Sequence, residues 1–258
     1  MSAPVFLAEP GTLAGMGPGG SYALQGAEAR HAGVVQRRRA GERVDVVDGA
    51  GARLTCTIAA VEPGSLVLDV LELVTEPAPA VRVVLVQALA KGDRDEMAVE
   101  AATEVGVDEV VPWQAHRSVV VWRGERAAKS RARWLATVRT AAKQARRAWV
   151  PEVAHAVSTA DLAARVRDVV AQGGAALVLH EAAAAPWHDV VVPEAAADGA
   201  TRHVLIVVGP EGGITDDEVA ELSAAGASVV RLGPHVLRTS TAGPVAAALV
   251  CERLGRWR

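Results

Sequence analysis

The amino-acid sequence predicts an α/β protein in which a small, β-rich N-terminal domain precedes a domain built on a parallel sheet. Three observations carry this expectation. Residues 1–75 hold several short strand patterns separated by turn residues, as in a small barrel. From residue 80 onward, apolar runs alternate with helical patterns, and strands separated by helices imply a parallel sheet. Near the C-terminus two strand–loop–helix units follow one another, each with glycine at the strand exit. VLIVV leads into GPEGG (Gly209 to Gly213), and VVR leads into LGPHVLRTSTAG (Leu232 to Gly243).

The elements follow in chain order. Glu28 to His31 begins a short helix that runs into Gln36, Arg37, Arg38 and Arg39. RVDVVDG and RLTCTIAAV form a hairpin around Ala50-Gly51, with Leu54, Cys56 and Ile58 alternating against Arg53, Thr55 and Thr57. After Pro63-Gly64, SLVLDVLEL places Leu66, Leu68 and Val70 on one face of a further strand. TEPAPA (Thr75 to Ala80) has the composition of a linker and separates domains 1–75 and 80–258. VRVVLVQAL is then a strand, Asp93 to Glu96 a capping box for a helix ending near Gly106, and DEVVPW the next strand. A long helix is expected from Lys129 to Ala148. LVLH, VLIVV and VVRL are strands, helices are expected over 215–225 and 244–254, and 182–199 reads as loop or short helix.

Composition narrows the function. The 258 residues suffice for one large domain or two modest ones. Hydrophobic content is 50% but aromatics only 3%, so the core must come from Ala, Val and Leu. No apolar run approaches the roughly 20 residues that cross a bilayer, and MSAPVFLAEP lacks a basic segment before an apolar one. Cys56 and Cys251 are far apart, with no His or Cys at zinc-ligand spacing. The expectation is a cytoplasmic protein with free thiols, no metal and no membrane partner. The net charge of -3 conceals an asymmetry: residues 117–147 hold ten Lys or Arg against the single acid Glu125, which is +9 there and -12 elsewhere. A basic block in an acidic chain points to a polyanionic partner. On a helical wheel Arg139, Lys143, Arg146 and Arg147 share one face, opposite Trp134, Val138, Ala141 and Ala145. A solvated surface face is the competing reading, but it would normally be interspersed with acids.

The two glycine loops carry the chemistry. Gly209, Gly212 and Gly213 allow positive φ and close approach of backbone to a ligand. Thr215 to Glu218 has capping-box spacing, so a helix starts there. A helix N-terminus attracts phosphate, yet Glu211 and the acids after the loop would repel it. There is also no P-loop Lys and no G-x-G-x-x-G. A largely neutral ligand held by backbone groups fits better, and an ordinary turn is the bland alternative.

In order along the chain, RHAGVVQRRRAGERVDVVDGAG, ALAKGDRDEMAVEAATEVGVDEVVPWQAHRSVV, AAKQARRAWVPEV, GPEGGITDDEV and LGPHVLRTSTAG resemble the RsmE family. These are bacterial 16S ribosomal RNA uridine-N3 methyltransferases of the SPOUT superfamily. The resemblance implies a PUA-like β-barrel that docks RNA, followed by a SPOUT α/β domain with a C-terminal trefoil knot. It implies a homodimer whose site is bordered by the partner subunit, and S-adenosylmethionine held by three loops. The first loop would supply Leu179, His180 and Glu181; the second Val208, Gly209, Gly212 and Gly213. The third would supply Leu232, Gly233, Val236, Leu237, Thr239, Thr241 and Ala242. One departure is visible. The family often reads LRTETA where this chain has LRTSTAG, so a carboxylate at Ser240 is absent.

Methylation at uracil N3 requires loss of its proton, and a cation can stabilise the resulting anion. Arg238, inside the third loop, is the candidate for that role; its alternative is an ion pair with Glu211. Glu211 is the candidate to accept a proton or to hold the cofactor amino group. His180 reads as structural more readily than chemical. Candidate RNA contacts are Arg37, Arg38 and Arg39 in the first domain, and Lys91, Arg94, Arg117, Arg139, Lys143, Arg146 and Arg147 in the second. Two other readings are a different SPOUT enzyme, such as a ribose 2'-O-methyltransferase, and a non-catalytic RNA-binding assembly protein. The first commonly carries Asn in its motifs and this chain has none; the second would have no need of intact glycine loops.

Overall fold

The computed structural model describes residues 3–257. The chain divides into two compact units: Met1–Ala78 with Ala142–Val150, and Pro79–Ala141 with Pro151–Arg258. The α/β class expected from the sequence is what the chain adopts.

In the first unit, strands β1 (Val5–Leu7) and β2 (Ser21–Gln25) precede a short helix, α1 (Gly26–Arg30), which continues as a π-helical turn over His31–Val35. Strands β3 (Arg43–Val47), β4 (Ala52–Glu62) and β5 (Ser65–Thr75) follow. The sheet order is β1-β3-β4-β5-β2, antiparallel except for the β1–β3 pair. Alternation places Leu54, Cys56, Ile58, Leu66, Leu68 and Val70 in one core with Phe6, Leu13 and Leu24. Burial pushes the Cys56 thiol up to about 12, aided by the Asp45 carboxylate, so it is inert at neutral pH. Asp48 closes the hairpin by accepting the amides of Ala50 and Ala52 at 2.8 and 3.0 Å. Register shifts at Thr55/Cys56 and Ile58/Ala60 bend the long β4–β5 ribbon.

The second unit alternates strand and helix: β6 (Val81–Ala88), α2 (Arg94–Val105), β7 (Glu109–Trp113), α3 (Gly124–Gln144), β8 (Glu152–Val153), α4 (Thr159–Ala171), β9 (Ala175–Leu179), β10 (Ala185–Pro186), β11 (Arg202–Val208), α5 (Asp216–Ala224), β12 (Ser228–Arg231) and α6 (Thr239–Arg253). The seven strands are all parallel, in the order β10-β12-β9-β11-β6-β7-β8. Val204 to Val208 of β11 are buried along their length, which explains why VLIVV reads as a continuous apolar run. Leu162, Val166 and Val169 of α4 and Leu222 of α5 pack on one side of the sheet. On α6 a Cβ at Gly243 would lie 2.7 Å from Leu85 Cδ1, so glycine there permits close helix–sheet contact.

Several expectations about element ends are corrected. The Asp93–Glu96 capping box does not form: Asp93 takes φ 60°, not the extended backbone of an N-cap. The buried Asp95 instead accepts the amides of Ala90 and Glu96, at 3.3 and 2.9 Å. Burial outweighs those bonds and raises its pKa. Helix α4 carries a complete Ser158/Asp161 capping box. Helix α6 begins at Thr239, five residues before the expected start; Pro244 sits in its second turn rather than opening it.

The long helix is displaced most. It starts at Gly124 and stops at Gln144 because Arg146 adopts φ 57°. The amides of Arg146 and Arg147 bond back to the carbonyls of Lys143 and Ala142, a Schellman ending with arginine at the left-handed position. Arg146 and Arg147 therefore lie beyond the helix, and the expected four-residue basic face does not exist as such. Lys143 is held by both carboxylate oxygens of Glu28, at 2.8 and 2.7 Å, over the Phe6 ring.

Residues 142–150 thus complete the first unit. Trp149 Nε1 donates to the Glu76 carbonyl at 3.1 Å, and Arg53 donates to the Arg146 carbonyl at 2.8 Å. Ala148 packs with Val5, Leu7 and Val47. A Cβ at Gly51, whose φ is +100°, would lie 2.7 Å from the Trp149 ring. The sequence reading placed all of 80–258 in one domain; these contacts put 142–150 with the first.

Candidate functional site

Three neighbouring strands, β12, β9 and β11, end at the same edge of the parallel sheet, and the loops leaving them converge. The crevice beyond the carboxyl ends of such strands is where open α/β sheets bind ligands. Here it is a cleft of about 650 Å³, within the range of about 300–1,000 Å³ typical of small-molecule sites.

The strands deliver Leu179, His180 and Glu181 from the first loop and Val208 with Gly209 to Asp216 from the second, apart from Thr215. The third loop and the start of α6 add Val236, Leu237, Arg238, Thr239 and Ala242. Three residues named with them from sequence do not line it: Leu232 and Gly233 lie at the foot of the loop beside β12, and Thr241 points from the first turn of α6 into solvent. Pro210, within the expected GPEGG loop, lines it too, as do Ile214 and Asp216 just beyond that loop. So do Arg94 and Arg117, which the sequence assigned to RNA.

The second loop is shaped by its glycines. A Cβ at Gly209 would stand 2.6 Å from Ile214 Cγ1, and one at Gly212 would stand 3.1 Å from Arg117 Cβ. Gly213 takes φ +75° and closes a turn onto the Pro210 carbonyl at 2.9 Å. Arg117 Nη1 caps the loop by donating to the Gly212 carbonyl at 2.9 Å. The loop is joined to the third through Thr239, whose hydroxyl donates to the Gly209 carbonyl and accepts from Gln87 Nε2, both at 2.8 Å.

The expected alternative pairing of Glu211 with Arg238 is not made. Glu211 Oε1 accepts from Arg94 at 2.8 Å and from the Lys91 amide at 3.2 Å. Arg238 precedes α6 as its N-cap residue, exposed, and its guanidinium has no ion-pair partner among the described residues. His180 Nδ1 accepts the Ala182 amide at 3.2 Å, a local loop role. The lining carries three guanidinium groups (Arg94, Arg117, Arg238) and three carboxylates (Glu181, Glu211, Asp216), alongside apolar Leu179, Val208, Ile214, Val236 and Leu237. That balance suits a ligand with both signs of charge and an apolar body, rather than a polyphosphate.

Beneath the second loop lies Glu218, only 5% exposed. Burial works against its charge, but bonds from the Thr215 and His116 amides and the Thr215 and Thr159 hydroxyls more than offset it and lower its pKa. A depressed carboxylate pKa stabilises the fold above the unfolded value, and that stability is lost as pH falls through the folded one. Glu218→Gln is therefore expected to flatten the acid limb of the stability–pH curve below about pH 4.5. Urea midpoints measured from pH 3 to 7 check this; an unchanged limb would contradict it.

Of the remaining residues named for RNA, Arg37 (φ 54°) and Arg39 are exposed at the end of the π-helical turn. Arg38 is tied to Gln36 and Glu42 at 3.0 and 3.2 Å. Lys91, Arg139 and Arg146 are exposed; Arg147 and Lys143 are less so. Among the described residues no group of three or more His, Cys, Asp or Glu is placed to hold a metal ion, and no helix is long and apolar enough to cross a membrane.

A parallel sheet with convergent loops at its carboxyl edge defines a class, and residues 76–251 match the model of the RNA methyltransferase domain family. The chain is 45% identical over 234 residues to the ribosomal RNA small subunit methyltransferase E of Mycobacterium tuberculosis, covering 91% of this chain and 87% of that one. It is 30% identical to that of Bacillus subtilis over 225 residues, 86% of each chain. The structure of the Neisseria gonorrhoeae ribosomal RNA small subunit methyltransferase E bound to S-adenosyl methionine superposes with a TM-score of 0.82 at 27% identity, covering 98% of both chains. The chain belongs to the ribosomal RNA small subunit methyltransferase E family.

Proposed function

We propose that the cleft binds S-adenosylmethionine and that the protein methylates N3 of a uridine in 16S ribosomal RNA of the small subunit. The observation that carries this reading is the convergence of the three loops on one cleft whose lining is both apolar and charge-balanced. The residues fit the cofactor. Leu179, Val208, Ile214, Val236 and Leu237 offer apolar walls for an adenine, and Glu181, Glu211 and Asp216 offer acceptors for ribose hydroxyls and the ammonium group. At Gly209 and Gly212 a Cβ would press on Ile214 and Arg117, so glycine keeps the loop on the tight course that shapes the cleft. The Neisseria protein of the same fold was solved with this cofactor.

When bound, S-adenosylmethionine supplies a methyl group activated by its sulfonium. The protein's own residues do the rest. The loops orient the acceptor base against the donor, and positioning of this kind accounts for much of the rate in such transfers. Arg238, with no ion-pair partner among the described residues, stabilises the negative charge left on uracil when N3 loses its proton. Glu211 is held by Arg94 and the Lys91 amide, which orients its second oxygen for a cofactor amino group or a proton.

In this reading the first unit is a PUA-like barrel that docks RNA and the second a SPOUT domain whose C-terminal part forms a trefoil knot. The protein acts in the cytoplasm as a homodimer. Exposed Val245 and Leu249, four residues apart on α6, and exposed Met97 on α2 support a subunit contact there. Arg37 and Arg39 are the cations that the N-terminal turn leaves available to phosphate. Charge reversal of both is expected to weaken binding of a 16S fragment at least about tenfold and to lower its salt dependence. Filter binding across a salt series checks this, and an unchanged slope would remove the turn from the RNA contact. The function itself is tested by transfer of labelled methyl groups to small-subunit RNA with mapping of the product. A ribose methyl, or no transfer, would overturn it.

A further inference from the structure

We infer that Glu218 is a positioning residue: it bolts the second cleft loop to two segments distant in sequence and thereby sets the shape of the ligand wall. The inference rests on the cofactor reading above but deepens it. Glu218 is the third residue of α5, where a glutamate ordinarily only closes a capping box with its N-cap threonine. One oxygen does this. Oε2 accepts the Thr215 amide and hydroxyl at 3.0 and 2.9 Å. The other oxygen faces away from its own helix. Oε1 accepts the His116 amide at 2.8 Å and the Thr159 hydroxyl at 3.0 Å. A helix cap has no need of that second pair.

The second pair reaches the cleft. His116 precedes Arg117, whose guanidinium holds the Gly212 carbonyl and whose side chain occupies the space above Gly212. Thr159 opens α4 and also accepts the Trp113 indole N–H at 3.3 Å. The loop from Gly209 to Asp216 is thus gripped from beneath by Glu218 and from above by Arg117, and both grips run through the 116–117 segment. All four partners of the carboxylate are donors, so a neutral amide, which must turn its NH₂ toward one pair, cannot replace it.

The chain itself supplies the control. At α4 the same capping box is built with an aspartate, Asp161 on Ser158. Among the described residues, the Asp161 carboxylate bonds only to Ser158 of its own cap. Glu218→Asp should therefore retain the helix cap and lose the cross-link. Thr159→Val removes one strand of the cross-link from the far side and leaves the loop sequence intact.

The experiment compares wild type, Glu218→Asp and Thr159→Val by amide hydrogen exchange without ligand, and by calorimetry with S-adenosylmethionine. Both variants are expected to speed exchange at His116 and across 209–215 by about tenfold or more, in line with loss of hydrogen bonds to a charged group. Cofactor affinity should fall by a similar factor, while affinity for the 16S fragment stays within about twofold. Combining Arg117→Ala with Glu218→Asp should cost less than the sum of the two, because both act on one loop. If Glu218→Asp exchanges like wild type, the carboxylate is only a cap and the inference fails. If exchange speeds but affinity holds, positioning of the wall fails. If exchange speeds and wild type itself binds no S-adenosylmethionine, the bolt stands and the cofactor reading falls.

Discussion

Replacing Arg238 by alanine is expected to lower the single-turnover rate of methyl transfer by about 100- to 1,000-fold, the usual consequence of removing a group aimed at developing charge. Affinity for S-adenosylmethionine should change little. The reason lies in the ion-pair arrangement at the cleft: Glu211 is engaged by Arg94, so Arg238 reaches the cleft with its charge uncompensated. Its backbone carbonyl also accepts the amides of Thr241 and Ala242, which fixes where the side chain departs. Because alanine keeps that carbonyl, the loss would be chemical and not conformational. Rapid-quench measurement with saturating RNA and cofactor checks it. A rate within threefold of wild type would exclude Arg238 from the chemical step, and Arg238→Lys should recover part of the rate if charge alone matters.

Gly209→Val is the second substitution expected to have a large effect, with loss of S-adenosylmethionine affinity by about 100-fold or more and retention of RNA affinity. A Cβ there would lie 2.6 Å from Ile214 Cγ1 and 3.3 Å from Ile214 Cδ1, so the loop or the Ile214 side chain that lines the cleft must shift. Overpacking of this kind typically costs about 1–3 kcal/mol at well-packed positions. The Thr239 hydroxyl, bonded to the Gly209 carbonyl, would carry the displacement to the third loop. Calorimetry on a variant shown to unfold cooperatively distinguishes this from global damage. An affinity equal to wild type would mean that the second loop does not form the ligand wall.

Much of this was legible in the residues. Alternation in β4 and β5 predicted which side chains enter the core of the first unit, and the Thr215–Glu218 spacing predicted the start of α5, because both rest on local periodicity. In GPEGG glycine marks a tight course, with a Cβ at Gly209 only 2.6 Å from Ile214 and one at Gly212 3.1 Å from Arg117; in the other loop Gly233 faces open space. What was missed depends on contacts distant in sequence. Ala145 to Ala148 continue a helical pattern, so the sequence extends α3 four residues too far, and only Arg146 in a left-handed conformation stops it. Charge alone singles out Arg94 and Arg117, but nothing local says that one faces Glu211 and the other Gly212. Likewise Glu218 announced its cap but not the His116 and Thr159 donors on its other oxygen.

The return of residues 142–150 to the first unit has a consequence for how the protein is made. A chain emerging from the ribosome displays residues 1–78 long before Trp149 exists. Until then Val5, Leu7 and Val47 lack their Ala148 cover, Glu28 lacks Lys143, and Gly51 faces no indole. The N-terminal segment therefore waits, without these contacts, while β6, α2, β7 and α3 are synthesised. Cutting the chain at the TEPAPA segment would leave the first unit without the contacts that residues 142–150 supply.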